Sequence, residues 1–280
     1  MKTPVVGLLH PGQMGTAVAA AVRSHAGPVL WAEADRSRET AKRAEWADLL
    51  AVQTVADVAR RSDVVISLCP PHAALDVAQQ VADAGGVDLY LDANAVAPST
   101  VVRIAALLGA EYVVDGAVIG PPPWKPDKAV LHLAGARSAE AAALFDAGPL
   151  ATRIVGPKVG LASAVKACFT LQSKAAHTMW AVLAAAAAEY GVDAEVRAEL
   201  QRNGVDLDAE MTLLADRVTP SAWRFAGEMD EAGRTFADAG LPDGISQAAA
   251  EVFRRVAAVL PRDSPATGAD WIQAVRRTEG

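Results

Sequence analysis

The chain has 280 residues, 52% of them apolar and 5% aromatic, and a formal net charge of −7 with no basic run. That length suits one large domain or two modest ones, and the acidic balance argues against broad binding to nucleic acid or anionic membrane. Cys69 and Cys168 are the only cysteines, which argues against a disulfide framework or a cysteine zinc site and fits a reducing, cytoplasmic setting. The sequence runs directly into a strand pattern, so no signal peptide is expected, and the Ala-rich run 180–188 is too short to span a bilayer.

Residues 4–9 read as an apolar strand, His10 to Gly15 as a tight loop, and residues 16–23 as a helix packed behind it. Strand, glycine loop and helix form the layout that sets a dinucleotide pyrophosphate against a helix N-terminus. The free N–H groups and positive dipole end of that helix favour a phosphate. The pattern is G-x-G-x-x-G with the first glycine replaced by His10. Gly12 and Gly15 remain, and His10-Pro11 must make the first turn. His10, Pro11, Gly12, Gln13, Met14 and Gly15 are therefore the first candidate cofactor residues.

Further strands are expected at 29–31, 63–69, 89–92, 112–115, 130–133 and 154–156, with a helix at 99–108. This alternation predicts a parallel sheet. After Lys158 the pattern becomes helical. One long helix at 161–190 stops at Gly191, a good C-cap, and helices follow at 193–202, 206–218, 221–239 and 245–259. The fold class read here is α/β: a Rossmann-type doubly wound sheet in a nucleotide-binding domain at 1–157, then an all-α domain at 158–280 that begins with a long interdomain helix.

The loop after the second strand should meet the adenosine ribose. Glu33 or Asp35 there suits the 2′-hydroxyl of NAD, whereas Arg36-Ser37-Arg38 suits the 2′-phosphate of NADP. We favour NADP, with NAD possible; the competing reading is a solvated turn in which Ser37 caps a helix at 39–46. Cys69, Pro70 and Asn94 sit at carboxyl ends of strands, where ligands of open α/β sheets collect. Asn94 is placed either on the nicotinamide half of the cofactor or in an Asx-turn. Residues 115–124 form a loop in which Gly120 permits close backbone approach and three prolines make either a pocket wall or a rigid crossover.

On the long helix, Ser163, Lys166, Thr170, Ser173 and His177 fall on one stripe at 3.6 residues per turn. That stripe either lines a cleft between two domains or faces water. In a cleft, Lys166 is the natural acid, because a partly desolvated lysine exchanges protons readily. Arg224, Glu228 and Glu231 share a helix face, which reads as an ion pair at i, i+4. The five histidines show no metal-ligand spacing, and neither a Gly-x-Ser-x-Gly elbow nor a His-Glu-x-x-His helix is present.

Together these residues resemble the β-hydroxyacid dehydrogenase superfamily, which includes 6-phosphogluconate dehydrogenases and the related imine reductases. His10 to Gly15 looks like that family's G-x-G-x-M-G, residues 92–98 like its D-x-S-T-x-S-P, residues 115–120 like its D-A-P-V-S-G-G substrate loop, and Gly160 with Lys166 like its G-x5-K catalytic motif. Residues 160–166 and 227–231 look most like a little-characterised branch with a distinct C-terminal domain. The resemblance implies NAD(P)-linked hydride transfer on a small-molecule substrate, Lys166 as general acid/base, and a homodimer packed through the C-terminal helices. It places Ile119, Gly120, Pro121, Thr170, Ser173 and His177 toward the substrate. Ile119, Pro121 and Thr170 depart from the family's serine, glycine and asparagine, and Asp230-Glu231 stand where a Lys-Asp pair is common, so neither a standard 3-hydroxy acid nor 6-phosphogluconate is expected. An imine reductase, or an inactive NADP-binding sensor or scaffold, are the competing functions.

Overall fold

Runs of β-branched and aliphatic residues alternate with Ala-rich helical segments through the first half of the chain, and they fold as that alternation requires. The computed structural model describes residues 3–146, 148–261 and 265–276. The chain forms two compact units, Met1–Ala167 and Cys168–Gly280. The helix expected to open a second domain at residue 158 thus begins within the first unit.

The first unit holds one eight-stranded sheet. Its strands are β1 (Val6–Leu9), β2 (Val29–Ala32), β3 (Leu50–Val52), β4 (Val64–Ser67), β5 (Leu89–Asp92), β6 (Val113–Ile119), β7 (Val130–Ala134) and β8 (Ala151–Gly156), in the order β3-β2-β1-β4-β5-β6-β7-β8. Every pairing is parallel except β6 with β7. Strand β1 is therefore flanked by β2 and β4, and the chain reverses direction across the sheet there. At such a switch point the loops leave a crevice at the carboxyl edge.

Both faces are covered. On one, α1 (Gln13–Ala21), α2 (Arg38–Trp46) and α6 (Ser138–Ala143) cover the cluster of Val6, Leu8, Trp31, Ile66, Leu91 and Leu133. On the other, α3 (Val55–Arg61), α4 (Ala74–Asp83) and α5 (Pro98–Leu108) cover Leu9, Leu30, Val65, Tyr90 and Val113. The strands buried on both faces read as near-continuous apolar runs, as parallel sheets require. Ala117, Ala134 and Ala162 form a smaller cluster where α7 (Leu161–Thr170) meets β6 and β7.

The described residues of the second unit form helices joined by short loops, with no strand among them: α8 (Ala176–Tyr190), α9 (Asp193–Arg202), α10 (Leu207–Leu213), α11 (Ala222–Asp238), α12 (Gly244–Val259) and α13 (Gly268–Arg276). Trp271, fully buried, donates its indole N–H to Thr219 Oγ1 at 2.8 Å, and Phe225 meets Phe253 edge-on at 5.6 Å. Gly191 ends α8 in the left-handed region at φ 67°, as its C-cap role demands. Among the described residues no helix is long and apolar enough to cross a membrane.

The structure corrects several boundaries. Helix α1 starts at Gln13, so Gln13, Met14 and Gly15 are its first turn rather than loop. Strand β6 continues through Ile119, because residues 115–119 pair antiparallel with β7. A side chain at Gly116 would lie 2.8 Å from Leu91 Cδ1, so glycine is what lets β6 pass. Gly7 plays the same part in β1: a Cβ there would lie 2.4 Å from Val58 Cγ1 on α3. Gly7→Ala should cost about 1–3 kcal/mol in urea unfolding, and adding Val58→Ala should recover part of that loss, since the two sites share one space.

Candidate functional site

The carboxyl edge of the sheet gathers the loop after β1. His10 takes φ 71°, a left-handed conformation uncommon outside glycine. It thereby makes the turn that the missing glycine would make. Its carbonyl accepts from Gly12 N at 2.8 Å. A Cβ at Gly15 would lie 2.6 Å from that same carbonyl, so Gly15 is required for α1 to close on the loop. Gly12 is the N-cap of α1 and supplies no side chain to the free N–H groups, and a Cβ on it would meet nothing within 4 Å. The helix N-terminus is thus bare and open.

Two buried polar atoms at this edge have no partner: His10 Nδ1 and Arg36 Nε. Burial, and secondly the charge of Arg36, hold the His10 imidazole down to about 4. Arg36 also acts on Cys69 at the end of β4. The charge of Arg36 thus reaches both His10 after β1 and Cys69 at the end of β4. A bare helix terminus, open space at Gly12 and two orphaned nitrogens fit the phosphates of a dinucleotide. Arg43 of α2, which the sequence reading passed over, braces the loop by donating to Pro11 O at 3.5 Å and Thr40 Oγ1 at 3.0 Å. Ser37 caps α2, accepting from Thr40 N at 3.2 Å, so the capping reading of Ser37 is realised in the structure.

Asn94 is committed to a buried network. Its Oδ1 accepts from Cys69 N at 2.6 Å, and its Nδ2 donates to Ser67 Oγ at 3.1 Å and Asp92 Oδ2 at 2.9 Å. Both amide protons and the carbonyl are spent tying β4 to β5, which supports its structural reading over a nicotinamide contact. Burial, and then the charge of Asp92, push the Cys69 thiol up to about 12, so Cys69 is a neutral filler. Pro70 opens the short 3-10 turn Pro71–Ala73. Asp92, wholly buried, is pushed up to about 7 by burial foremost.

The third group stands on β6. The carboxylate of Asp115 accepts from Gly160 N at 2.8 Å, Ala162 N at 2.9 Å, Ser163 N at 3.0 Å and Ser163 Oγ at 2.7 Å. It is an N-cap supplied from a strand. Burial pushes its pKa up while these four donors pull it back. The Ser163 hydroxyl is therefore occupied. One turn on, Lys166 Nζ donates to Val118 O at 2.5 Å, which holds the ammonium at the end of β6 beside Ile119. His132 of β7, opposite Ala117, is the neighbour that sequence reading missed; burial first, then the charge of Arg153 and more weakly that of Lys166, lower its pKa. A histidine within V-L-H-L gave no spacing signal, since its link to Lys166 depends on strand pairing.

Gly120, at φ 122°, closes the turn after β6, where a Cβ would lie 2.4 Å from Lys128 O. Pro121 follows it, exposed. Beyond, Trp124 packs edge-on against Trp46 of α2 at 4.9 Å. The proline-rich loop is thus anchored to α2, four strands along the sheet from β6 at β2.

Thr170, Ser173 and His177 belong to the second unit. Residues Leu171–Ala175 form a π-helical turn. Its i→i+5 bonds break the 3.6-residue period, so the single stripe expected from Ser163 to His177 does not carry past Thr170. The Arg224–Glu228 pair expected on α11 is also replaced. Glu228 pairs with Lys174 from the π turn, Glu231 pairs with Arg234 at 3.4 Å, and Arg224 lies over the Phe225 ring at 5.3 Å. Among the described residues no cluster of three or more metal-ligating side chains is present.

A protein 28.5 kDa in size and uncharacterised, encoded in the 7S RNA 5′ region of Methanothermus fervidus, is 29% identical over 140 residues. That match covers 50% of this chain and about half, 53%, of the relative. A conserved hypothetical protein from Sinorhizobium meliloti superposes with a TM-score of 0.70 at 23% identity, covering 98% of this chain and 96% of that one. The 3-hydroxyisobutyrate dehydrogenase of Mycobacterium tuberculosis, solved with L-serine, superposes with a TM-score of 0.69 at 15% identity over 99% of this chain and 100% of that one. This chain shares the fold of that dehydrogenase. An imine reductase from Streptomyces aurantiacus shares it at a lower TM-score of 0.53 and 19% identity, over 98% and 100% of the two chains. Residues 187–256, inside the second unit, match a domain of unknown function, DUF1932. The resemblance read from the sequence holds at the level of this fold, and so does the expected pairing of a doubly wound sheet with a helical C-terminal part.

The buried acid at the end of β5 gives a pH signature. Asp92 keeps its proton in the folded chain up to about pH 7 but loses it near 4 when unfolded. The folded state then binds more protons between those values, so the contribution of Asp92 to stability falls as pH rises through that window and is flat above it. Urea midpoints at about pH 6 and about pH 8 should show a smaller alkaline loss in Asp92→Asn than in the unaltered chain. Equal losses in both would contradict the assignment.

Proposed function

We propose that this chain is an NAD(P)-dependent oxidoreductase acting on a small hydroxy or carbonyl compound, with Lys166 as the general acid and base. The observation that carries the reading is the lysine ammonium held on Val118 O at the carboxyl end of β6, on the same sheet edge as the bare N-terminus of α1. A nicotinamide dinucleotide, when bound, supplies or accepts the hydride. His10 to Gly15 hold its pyrophosphate, and Arg36 favours NADP by offering a guanidinium to a phosphate. Lys166 gives its proton to a substrate oxygen during reduction and takes one back during oxidation. Val118 O keeps the ammonium aimed while it does so. Ile119, Gly120 and Pro121 line the substrate side with apolar surface, which suits a compound less polar than a standard hydroxy acid. We further propose a cytoplasmic homodimer; exposed Phe169, Met179 and Val182 on the helices of the second unit support that assembly.

The second reading is reduction of a C=N bond, supported by the fold shared with imine reductases; a lysine ammonium can protonate nitrogen as well as oxygen. A panel of cyclic imines and of hydroxy and keto compounds, run with NADPH and NADP, separates the two. On the accepted substrate, Lys166→Ala should lower kcat by about 10²–10⁴-fold with NADPH affinity unchanged. Unchanged turnover would overturn the role of Lys166, and NADPH binding without turnover of any panel member would favour a sensor.

A further inference from the structure

His10 replaces a glycine at the one position where the dinucleotide reading needs only a turn. Asparagine or glycine would take φ 71° more readily. The imidazole is instead half-buried, with Nδ1 shut away from solvent and unpartnered. The Nε of Arg36, whose charge acts on His10, is in the same state. That charge opposes protonation of the imidazole, and a phosphate held by both groups would relieve the opposition.

We infer that His10 binds a cofactor phosphate as imidazolium, so that cofactor binding takes up a proton from solvent. The inference rests on the nicotinamide reading above and adds to it a residue that sets the pH dependence of affinity. The groups around His10 are consistent with this. From the β2–α2 loop, Arg36 opposes protonation of the free chain. From α2, Arg43 is turned to Pro11 O and Thr40. From the end of β1, the backbone of Leu9 hydrogen-bonds the imidazole and favours its protonation, but less than burial and Arg36 oppose it. The free imidazole is therefore neutral at ordinary pH. A phosphate between His10 and Arg36 cancels the opposing charge and favours the imidazolium, and the proton enters with the cofactor.

Isothermal titration of the full chain with NADH, and separately with NADPH, in buffers of different ionisation enthalpy measures this proton directly. NADH matters because it has no 2′-phosphate that could itself titrate. At about pH 6 the unaltered chain should take up a large fraction of a proton per NADH, and its Kd should weaken by up to about tenfold per pH unit toward pH 8. His10→Asn, which tolerates the left-handed turn, should bind with neither effect; His10→Gly, the family's own residue, is the second variant should the first fold poorly. Binding to the unaltered chain without proton uptake, or uptake that persists in both variants, overturns the inference and leaves the nicotinamide reading standing. Failure of the unaltered chain to bind either cofactor overturns both.

Discussion

The carboxylate of Asp115 fixes everything that follows it in the site. A charge in the interior is costly unless it is fully hydrogen-bonded, and this one is met by three backbone N–H groups and a hydroxyl at the start of α7. The bargain is mutual. The helix would otherwise leave its first N–H groups without partners, and the strand would otherwise bury an unpaired acid. The result is a rigid joint between β6 and α7. Lys166 lies one turn beyond the joint, which is why its ammonium can meet Val118 O on the same strand.

The sheet edge offers a second constraint of the opposite kind. At β6 the Asp115 carboxylate is satisfied, whereas at the β1–α1 loop polar nitrogens are left open. Gly12 leaves the helix terminus bare, and His10 and Arg36 keep unpartnered nitrogens. A folded chain leaves few buried polar groups without partners. One end of the edge is thus held by protein contacts, and the other leaves polar groups open. Trp124 on Trp46 joins the loop after β6 to α2 and so spans from one end toward the other.

Much of this was legible in the residues. The glycine loop, the apolar strand runs and the Gly191 cap gave the architecture, because each rests on local chemistry. Strand β3 was missed because Leu50–Val52 has three residues, two of them exposed, and so little apolar pattern. The end of β6 was misread because residues 115–119 contain a glycine, and only pairing with β7 makes them a strand. The stripe on the long helix carries to Thr170 and is interrupted by the π turn after it, which no local pattern announces. Asp115 and His132 were underrated for one shared reason: their partners are distant in sequence and meet them only through the sheet.

The central claim is that one carboxylate holds α7, and with it Lys166, to β6. Amide hydrogen exchange in Asp115→Asn tests it most directly. The account predicts that Gly160, Ala162 and Ser163 lose protection while the amides of β1, β4 and β5 keep theirs, because the joint opens without the sheet. Unchanged protection at those three amides, or an equal loss throughout the first unit, would contradict it.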